Sequence, residues 1–470
     1  SDPLEIFTDR EGQVILKKYS PIGEMTTFAK QYAEGGKPTG SESTTRSLGI
    51  TAAANYSYDE RYLLDFSLRF NGSSVFGNNN RWGTFWSAGA GWNLYKERFM
   101  DWADWLTLCK FRVTYGLTGN QNFSPYQSKA TYKFYDSIIY DNISGAYLMG
   151  MPNPNLKWQQ TGDFNVGLDL GLFSDVNVRV DLYNSRTRDA LIAMSIPTST
   201  GFTTYMENMG NVTNRGVEAT ANWRFYHKGQ SYMSLSGSLG HNKNRVTEIS
   251  DALKNYNSEQ DANSTKSPII RYEEGQSMTA IWAVRSLGID PATGKEIYIK
   301  RDGTLTFEYD PADRVLIGDT EPAYTGTFNT HLYWKGFSLY ALCQMRLGAW
   351  VYNTTRITKV EGSDPMCNAD QRVFDDRWKQ PGDIAYYKDI ADSSRPEQTT
   401  RFAEMENTLS LGSLNISYQF PETICQKLHV RNLRAGINFT DILRLSTVKI
   451  ERGTSYLYSQ GFEMNLSATF

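Results

Sequence analysis

The feature that most constrains the fold of this chain is an alternation of apolar and polar residues that recurs in many separate segments. In residues 61–74 the side chains of Leu64, Phe66, Leu68 and Phe70 are apolar, and those between them are polar or charged. A period of two puts successive side chains on opposite faces of a β-strand. Similar segments, also predicted as strands, lie at residues 48–58, 86–95, 109–121, 160–173, 175–188, 215–226, 231–245, 325–335, 337–350, 406–420, 431–440 and 455–470.

The lengths of these segments and of their connections indicate a transmembrane β-barrel. Segments of about 10 to 14 residues are longer than the mode of about 5 to 6 for soluble strands, and they match tilted spans of a bilayer. The connections YDER, FSD, YHKGQ and KG are short, whereas residues 119–159, 189–214, 246–324 and 351–405 form long excursions. Short periplasmic turns and long extracellular loops are typical of outer-membrane barrels. A soluble β-sandwich shows the same alternation and is the alternative fold.

Composition limits the class of function. The formal net charge is −3 and the pI is near 6.0, which argues against a nucleic-acid-binding protein. Mean hydropathy is −0.50, and no stretch approaches the roughly 18 apolar residues that a membrane helix needs. In a wide barrel the polar members of the alternation face a water-filled lumen. We assign six residues to that face: Asp65, Arg69, Lys110, Arg112, Glu218 and Arg224.

The chain closes with the alternating phrase QGFEMNLSATF. Its apolar members are Phe462, Met464, Leu466, Ala468 and Phe470. Because strand direction alternates along the chain, we expect Phe470 at the short-turn, periplasmic side. A last strand with an aromatic terminal residue resembles the C-terminal signal by which outer-membrane barrels are recognised and inserted. We therefore predict that these five residues form a barrel-insertion signal.

The number of strands indicates an incomplete barrel. About 13 or 14 spanning strands can be counted, and the first is weakly marked around GQVILKKYS at residues 12–20. Bacterial barrels have an even number of antiparallel strands. We therefore expect the chain to form only part of a barrel.

Several longer phrases resemble the SusC/RagA family of TonB-dependent outer-membrane transporters. FRVTYGLTGNQ is similar to a family strand that ends in a Gly-Asn pair, and NPNLKWQQTGDFNVGLDLGLF followed by VRVDLYNSRTRDAL is close to a family hallmark. MENMGNVTNRGVEATANWRF resembles the Asn-x-Gly-x-Glu hairpin segment. GIDPATGKEIY, RVLIGDTEPAYTGTFNTHLYWKGFSL, RWKQPGD and LNISYQFP follow in the family's order. The resemblance covers most of residues 46–470.

The resemblance implies a fold, an activity and partners. Residues 1–470 would be the C-terminal part of an all-β, antiparallel transmembrane barrel of about 22 strands, with the N-terminal plug domain and first strands absent from this chain. The implied activity is TonB-dependent import of oligosaccharides or peptides across the outer membrane of a Gram-negative, Bacteroidota-like cell. The implied partners are a SusD-like surface lipoprotein, TonB acting through the missing N-terminal part, the remaining plug and barrel portion on another chain, and outer-membrane lipid.

Two other classes of function stay open. A passive porin, or a siderophore-type TonB-dependent receptor without a lipoprotein lid, would share the barrel, and an adhesin or a barrel-borne hydrolase would place its groups on the loops. The sequence has no G-x-S-x-G, H-E-x-x-H, P-loop or G-x-G-x-x-G motif. Asp290, Asp302, Asp310 and Asp313 lack EF-hand spacing, so we read turns there. We expect no enzyme activity and no catalytic, cofactor-binding or metal-binding residues.

Overall fold

The structure is a computed structural model that describes residues 6–8, 14–16, 44–76, 80–120, 128, 130–140, 143–148, 150–153, 156–195, 198–202, 204–208, 210–261, 271–364, 366, 370–392, 394, 396–450 and 459–470. The strands in chain order are β1 Ile6–Thr8, β2 Val14–Leu16, β3 Ser47–Tyr58, β4 Tyr62–Ser73, β5 Trp82–Asn93, β6 Leu106–Asn120, β7 Tyr132–Tyr140, β8 Ile143–Leu148, β9 Gln159–Leu172, β10 Val176–Arg188, β11 Leu191–Ser195, β12 Thr204–Asn208, β13 Gly210–Lys228, β14 Ser231–Ile249, β15 Ala280–Ile289, β16 Glu296–Ile299, β17 Leu305–Thr306, β18 Arg314–Asp319, β19 Tyr324–Trp334, β20 Phe337–Tyr352, β21 Ala403–Gln419, β22 Asn432–Ser446 and β23 Gly461–Thr469. The α-helices are α1 Asp251–Asp261, α2 Arg372–Asp375 and α3 Glu422–Lys427.

Thirteen long strands form one antiparallel sheet in which each strand pairs with the next one along the chain. The order is β3-β4-β5-β6-β9-β10-β13-β14-β19-β20-β21-β22-β23. The predicted all-β, antiparallel architecture and the lower of the two strand counts are therefore confirmed. Among the described residues no ladder joins β3 to β23, so the sheet has two free edges.

The prediction of a further spanning strand around residues 12–20 is wrong for the part that the structure describes. Val14–Leu16 pairs with Ile6–Thr8 in a separate two-stranded sheet. Three paired residues are too few to cross a bilayer, which needs about 9–11 residues per strand. The apolar run VIL thus forms one strand of a short hairpin. Its backbone pairs with a strand close to it in sequence and not with the long sheet.

One face of the long sheet is apolar from its first strand to its last. A single register row joins Tyr56, Leu64, Ala90, Val113, Val166, Leu182 and Val217. At the other edge an equivalent row joins Leu339, Ile416, Ile437 and Met464. Phe66 is 48% exposed and Met464 is 71% exposed, so no second layer of described residues covers this face. The β-sandwich alternative is therefore excluded for the described chain, because a sandwich buries its apolar faces against each other.

Stacked aromatic side chains mark both ends of the apolar face on the first strands. At the short-turn end the ring of Tyr62 lies 6.5 Å from that of Tyr58 and 6.4 Å from that of Trp92. At the opposite end of β4, the rings of Phe70 and Trp82 are 5.0 Å apart. Tyrosine and tryptophan concentrate at the two interfaces of membrane-spanning segments, because their rings are apolar and their polar atoms reach water. The apolar face is therefore a band with two aromatic borders.

The connections alternate in size along most of the sheet, as expected. The turns at 59–61, 173–175, 229–230 and 335–336 are short and lie at one end of the strands. Residues 94–105 and 420–431 are longer links at that same end, and the second of them contains α3. The excursions after β6, β10, β14 and β20 lie at the other end, and they are not structureless: the one after β14 carries α1 and a four-stranded sheet, β17-β16-β15-β18.

The largest buried cluster of the described residues lies among these long excursions. It contains Ile357, Val360, Val373, Tyr387 and Phe402, each at most 2% exposed. None of the helices in the described ranges is long and apolar enough to cross a membrane. The protein thus has two parts, a two-faced sheet and a folded cap at its long-loop end.

The two faces of the sheet predict opposite effects for neighbouring substitutions. Phe66 lies in the middle of β4 on the apolar face, opposite Ala54 and Ala88, whereas Ser67 points to the other face. Near the bilayer midplane Phe66→Arg should lower the free energy of unfolding by about 2–4 kcal/mol, and Ser67→Arg should be tolerated. Heat-modifiable gel mobility of the two variants measures this difference, and equal loss in both would contradict the assignment of the faces.

Candidate lumen and loop cap

The polar face of the sheet carries all six residues that the sequence assigned to the lumen. One register row joins Arg112 to Gly167, Asp181 and Glu218 across four strands. Asp65 is registered with Gly89, and Arg224 with Ser234, on the same side. Lys110 and Arg69 occupy alternate positions of their strands on that side. The structure therefore brings these charges onto one surface, opposite to the apolar band.

A four-residue ion network crosses the centre of this polar face. The Nε of Arg112 donates to Asp169 Oδ2 at 2.7 Å, and its Nη2 donates to Asp169 Oδ1 and Asp181 Oδ1, both at 3.0 Å. Arg179 Nε donates to Asp181 Oδ2 at 2.7 Å. Hydrogen bonds between ionised groups are short and roughly twice as strong as neutral ones. The network contains two positive and two negative side chains, so it is neutral and polar at once.

Gly167 is required for this geometry. The Arg112 guanidinium lies over β9 at the position of this glycine, where an added Cβ would stand 2.5 Å from Arg112 Nη2. Any larger residue would push the guanidinium away from Asp169 and Asp181. The alternation in the sequence predicted only that residue 167 lies on the polar face. The strand register shows why it is a glycine, because it lies opposite Arg112 on the neighbouring strand.

A cavity of about 570 Å³ lies where the polar face meets the cap. The long sheet contributes Tyr183, Glu218, Lys243, Arg245 and Trp350, among others, and the cap contributes residues around β18, including Asp319 and Glu321. Gly318 allows that junction, since a Cβ there would lie 2.1 Å from the Trp350 ring. The lining combines one indole, one phenol and amides with three carboxylates and the cations Lys243 and Arg245, and this mixture suits a polar solute with some apolar surface. Of these residues the sequence singled out only Glu218, because the others come from segments far apart in the chain.

Two long excursions are locked together by a buried arginine in the cap. Arg401 is 4% exposed, and the side chains of Glu296 and Glu361 are each 1% exposed. Arg401 Nη2 lies 2.8 Å from Glu296 Oε2 and 2.7 Å from Glu361 Oε1. Burial alone would lower the pKa of Arg401, but the two carboxylates outweigh it and raise that pKa, so the guanidinium stays charged.

Backbone contacts extend the joint between the two excursions. The Val284 amide donates to the Gln398 carbonyl at 3.2 Å, and the Ser286 amide donates to Thr400 Oγ1 at 3.0 Å. Trp378 Nε1 donates to the Pro291 carbonyl at 2.9 Å. These pairs join residues of the segment after β14 to residues of the segment after β20. The cap is therefore one packed unit, although the sequence predicted only two long loops.

The remaining predicted residues lie away from the lumen. Phe462, Met464, Leu466 and Ala468 line the apolar face of β23, paired with β22, and Phe470 follows at the short-turn end. Their role in insertion stays a prediction. Asp290, Asp302 and Asp310 accept hydrogen bonds within tight turns, as expected from the sequence. In the described ranges no three His, Cys, Asp or Glu side chains are grouped as metal ligands.

The buried arginine makes the cap sensitive to one substitution. Arg401→Met leaves two buried carboxylates without a counter-charge and should destabilise the cap by about 3–5 kcal/mol. Amide hydrogen exchange within 280–299 and 372–402 should become faster, while the β-sheet amides stay protected. The exposed pair Lys254–Asp251 provides the control, because solvent screens this ion pair and Lys254→Met should leave the exchange rates of the cap unchanged.

A triple variant separates charge from packing. Adding Glu296→Gln and Glu361→Gln to Arg401→Met removes the buried charges and should restore most of the protection. Unchanged exchange in the single variant would contradict the clamp.

Comparison with known families identifies this architecture. A family profile described as "TonB dependent receptor-like, beta-barrel" matches residues 17–353. TonB-dependent receptor P3 of Formosa agariphila is 25% identical over 437 residues, which cover 87% of this chain and 42% of that protein. TonB-dependent receptor SusC of Bacteroides thetaiotaomicron is 33% identical over 207 residues, 42% of this chain and 20% of SusC. The chain thus spans less than half the length of these relatives.

A solved structure agrees with the same fold. The RagAB peptide transporter matches with a TM-score of 0.75 at 24% identity, over 88% of this chain and 46% of the transporter chain. A separate match of 33 residues, 7% of this chain, is 73% identical to Stage V sporulation protein T of Bacillus subtilis, and it is too short to assign a domain. The profile match covers most of the chain and the long sheet shares its two-faced pattern. The chain therefore belongs to the TonB dependent receptor-like β-barrel family of outer-membrane proteins.

Proposed function

We propose that this chain forms the C-terminal wall of an outer-membrane importer for oligosaccharides or peptides. The observation that carries the proposal is the polar face, which combines a neutral ion network with a cavity of about 570 Å³ beneath a folded cap. A surface with balanced charges neither repels nor traps an uncharged polar solute. Oligosaccharides and peptides present hydroxyl and amide groups that such a surface can bind.

The free edges of the sheet support the proposal that other strands complete the barrel of the importer. In the part of the chain that the structure describes, β3 and β23 each pair on one side only. In lipid an unpaired backbone edge leaves its N–H and C=O groups without partners, and each such group costs several kcal/mol. We therefore propose that further strands, together with a plug that contacts TonB, complete the barrel from another chain or another part of the same gene product.

The cap supports a surface partner. Its elements are packed around Arg401 and the Phe402 cluster, so it presents a folded surface at the extracellular side. A SusD-like lipoprotein that closes the lumen from outside would bind such a surface. Peptide transport is the described activity of the RagAB protein. For this chain, uptake experiments have to decide whether the substrate is a peptide or an oligosaccharide.

Purification in detergent from the native membrane tests the proposal. We expect the chain to co-purify with a plug-containing portion and with a surface lipoprotein, both identified by mass spectrometry. A barrel without any lipoprotein would favour the porin or the lid-less receptor. A chain that is monomeric and soluble without detergent would exclude import altogether.

Added bulk in the cavity should reduce uptake without preventing insertion. Thr325 lines the cavity and is exposed, so Thr325→Trp should narrow the path at no cost to a packed core. We expect a several-fold decrease in uptake of labelled oligosaccharide or peptide by cells that carry the complete complex. Thr51→Trp, on the same face of β3 but outside the cavity, should retain normal uptake, and equal uptake in both variants would argue against this route.

The last strand provides a test of insertion that is independent of uptake. Phe470→Asp places a charge in the apolar row of β23 and should strongly lower the amount of heat-modifiable protein in the outer membrane. Ser467→Asp is the matched control, because Ser467 is registered with Arg434 on the polar face. If the two variants insert equally well, Phe470 is not part of an insertion signal.

A further inference from the structure

Five cations lie together on the outward, apolar side of the sheet, at the long-loop ends of β10, β13 and β14. All five side chains are exposed. We call this group the basic rim, and it consists of Arg186, Arg188, Arg215, Lys243 and Arg245.

Register places the basic rim directly beyond the apolar band. The row of Leu182, Val217 and His241 is followed by the row of Asn184, Arg215 and Lys243. The next row contains Arg186, Thr213 and Arg245. Each row is two residues farther from the short turns, and so the side chains stay on the same face. The change from aliphatic to basic residues therefore occurs at the same level on three adjacent strands.

The basic rim lies at the level of the outer lipid headgroups. A tilted strand crosses the hydrocarbon core in about 9–11 residues. The cations lie 11 to 15 residues from the short turns at 173–175 and 229–230, which places them at the end of the hydrocarbon core or just beyond it. They also lie at the end of the strands that carries the long excursions, which is the extracellular side. Their charges are thus placed where acyl chains end and headgroups begin.

The basic rim contains a like-charge contact that the protein itself does not relieve. Arg215 and Lys243 stand directly opposite each other in the ladder between β13 and β14. Like charges at opposed positions destabilise a sheet. Arg215 Nε donates to the neutral Asn184 Oδ1 at 3.4 Å. An anion bound between the two cations would relieve this repulsion.

No carboxylate of the described residues forms an ion pair with the basic rim, and Asp319 and Glu321 line the cavity that Lys243 and Arg245 also border. Asp181 and Glu218, on the same strands, point to the polar face, where Asp181 is bonded to two arginines. Glu248 accepts a hydrogen bond from the Asn211 side chain, and Asp189 begins the loop after β10. None of the five cations forms an ion pair with another described residue. The patch is therefore open to a ligand.

The cations are confined to one part of the sheet. The row that holds Arg186 and Arg245 continues across β9, β6 and β5 as Gly162, Leu117 and Trp86. At the other side of the sheet, Met345 is registered with Leu409 on the apolar face. A general preference for basic residues at the membrane surface would spread along all strands, so the concentration on three strands indicates a discrete site.

We propose that the basic rim binds the phosphate groups of an outer-leaflet lipid, whose acyl chains lie along Leu182, Val217 and Leu239. Arginine binds phosphate through two parallel hydrogen bonds, and lysine adds a point charge. The apolar band directly below supplies the surface for the chains, which a free anion or an acidic protein would leave unused. The proposal depends on the orientation of the barrel in the membrane and not on import.

Retention of diphosphoryl lipid A by the purified detergent complex tests the proposal. Native mass spectrometry should show lipid A bound to the wild-type complex and much less of the fully dephosphorylated form. The double variant R215Q/K243Q should lower retention by about tenfold or more, since each cation near a charged lipid surface contributes about a factor of five to ten. The control K228Q/K335Q removes the same charge at the short-turn end and should retain wild-type binding.

Three outcomes would overturn the lipid site. Equal retention by R215Q/K243Q and the wild type excludes the basic rim, and equal retention of phosphorylated and dephosphorylated lipid A excludes phosphate recognition. Displacement of lipid A by inorganic phosphate at equal concentration would assign the rim to a free anion. Heat-modifiable mobility of each variant establishes that the barrel is intact, so that loss of binding reports on the rim.

Discussion

The antiparallel hydrogen-bond ladder, with one apolar and one polar side, is the constraint on which the rest of this structure depends. Within the ladders, each of the thirteen strands pairs its backbone groups with those of its neighbours in the sheet. A bilayer offers no other partner for those groups, so strands can cross it only as part of such a ladder. Once the ladder is set, the period of two assigns every side chain either to lipid or to water. The apolar band, the polar lumen face and the basic rim are consequences of that assignment.

The cap is stabilised by other interactions than the sheet, because its residues are surrounded by water and not by lipid. It stabilises itself as a small globular domain does, with a cluster around Phe402 and a buried charge triad around Arg401. Removing one partner of a buried triad is costly, and the triad therefore fixes how the two excursions meet. This gives the lumen a defined ceiling, in which β18 lies against Trp350 of β20 beside the cavity.

Charged side chains on the two faces of the same strand have different partners. On β10, Asp181 faces the lumen and is compensated by Arg112 and Arg179, whereas Arg186 faces outward and has no described counter-charge. The inner network is neutral and suits the passage of polar solutes. The outer group is uniformly positive and suits a fixed anionic lipid. Side chains that are one residue apart in sequence thus face opposite sides of the sheet, and we propose a different ligand for each side.

The sequence by itself determined the strands, their alternation, the number in the sheet and the face of each predicted lumen residue, because all of these depend on a local period of two. It misassigned Val14–Leu16, where a short apolar run has the same local signal as a spanning strand. Only the tertiary structure decided the partners of Arg401, the need for Gly167 and the grouping of the basic rim. Arg401 and Glu296 are 105 residues apart, and cross-strand neighbours depend on register. Such contacts are set by the packing of distant segments, which no local pattern encodes.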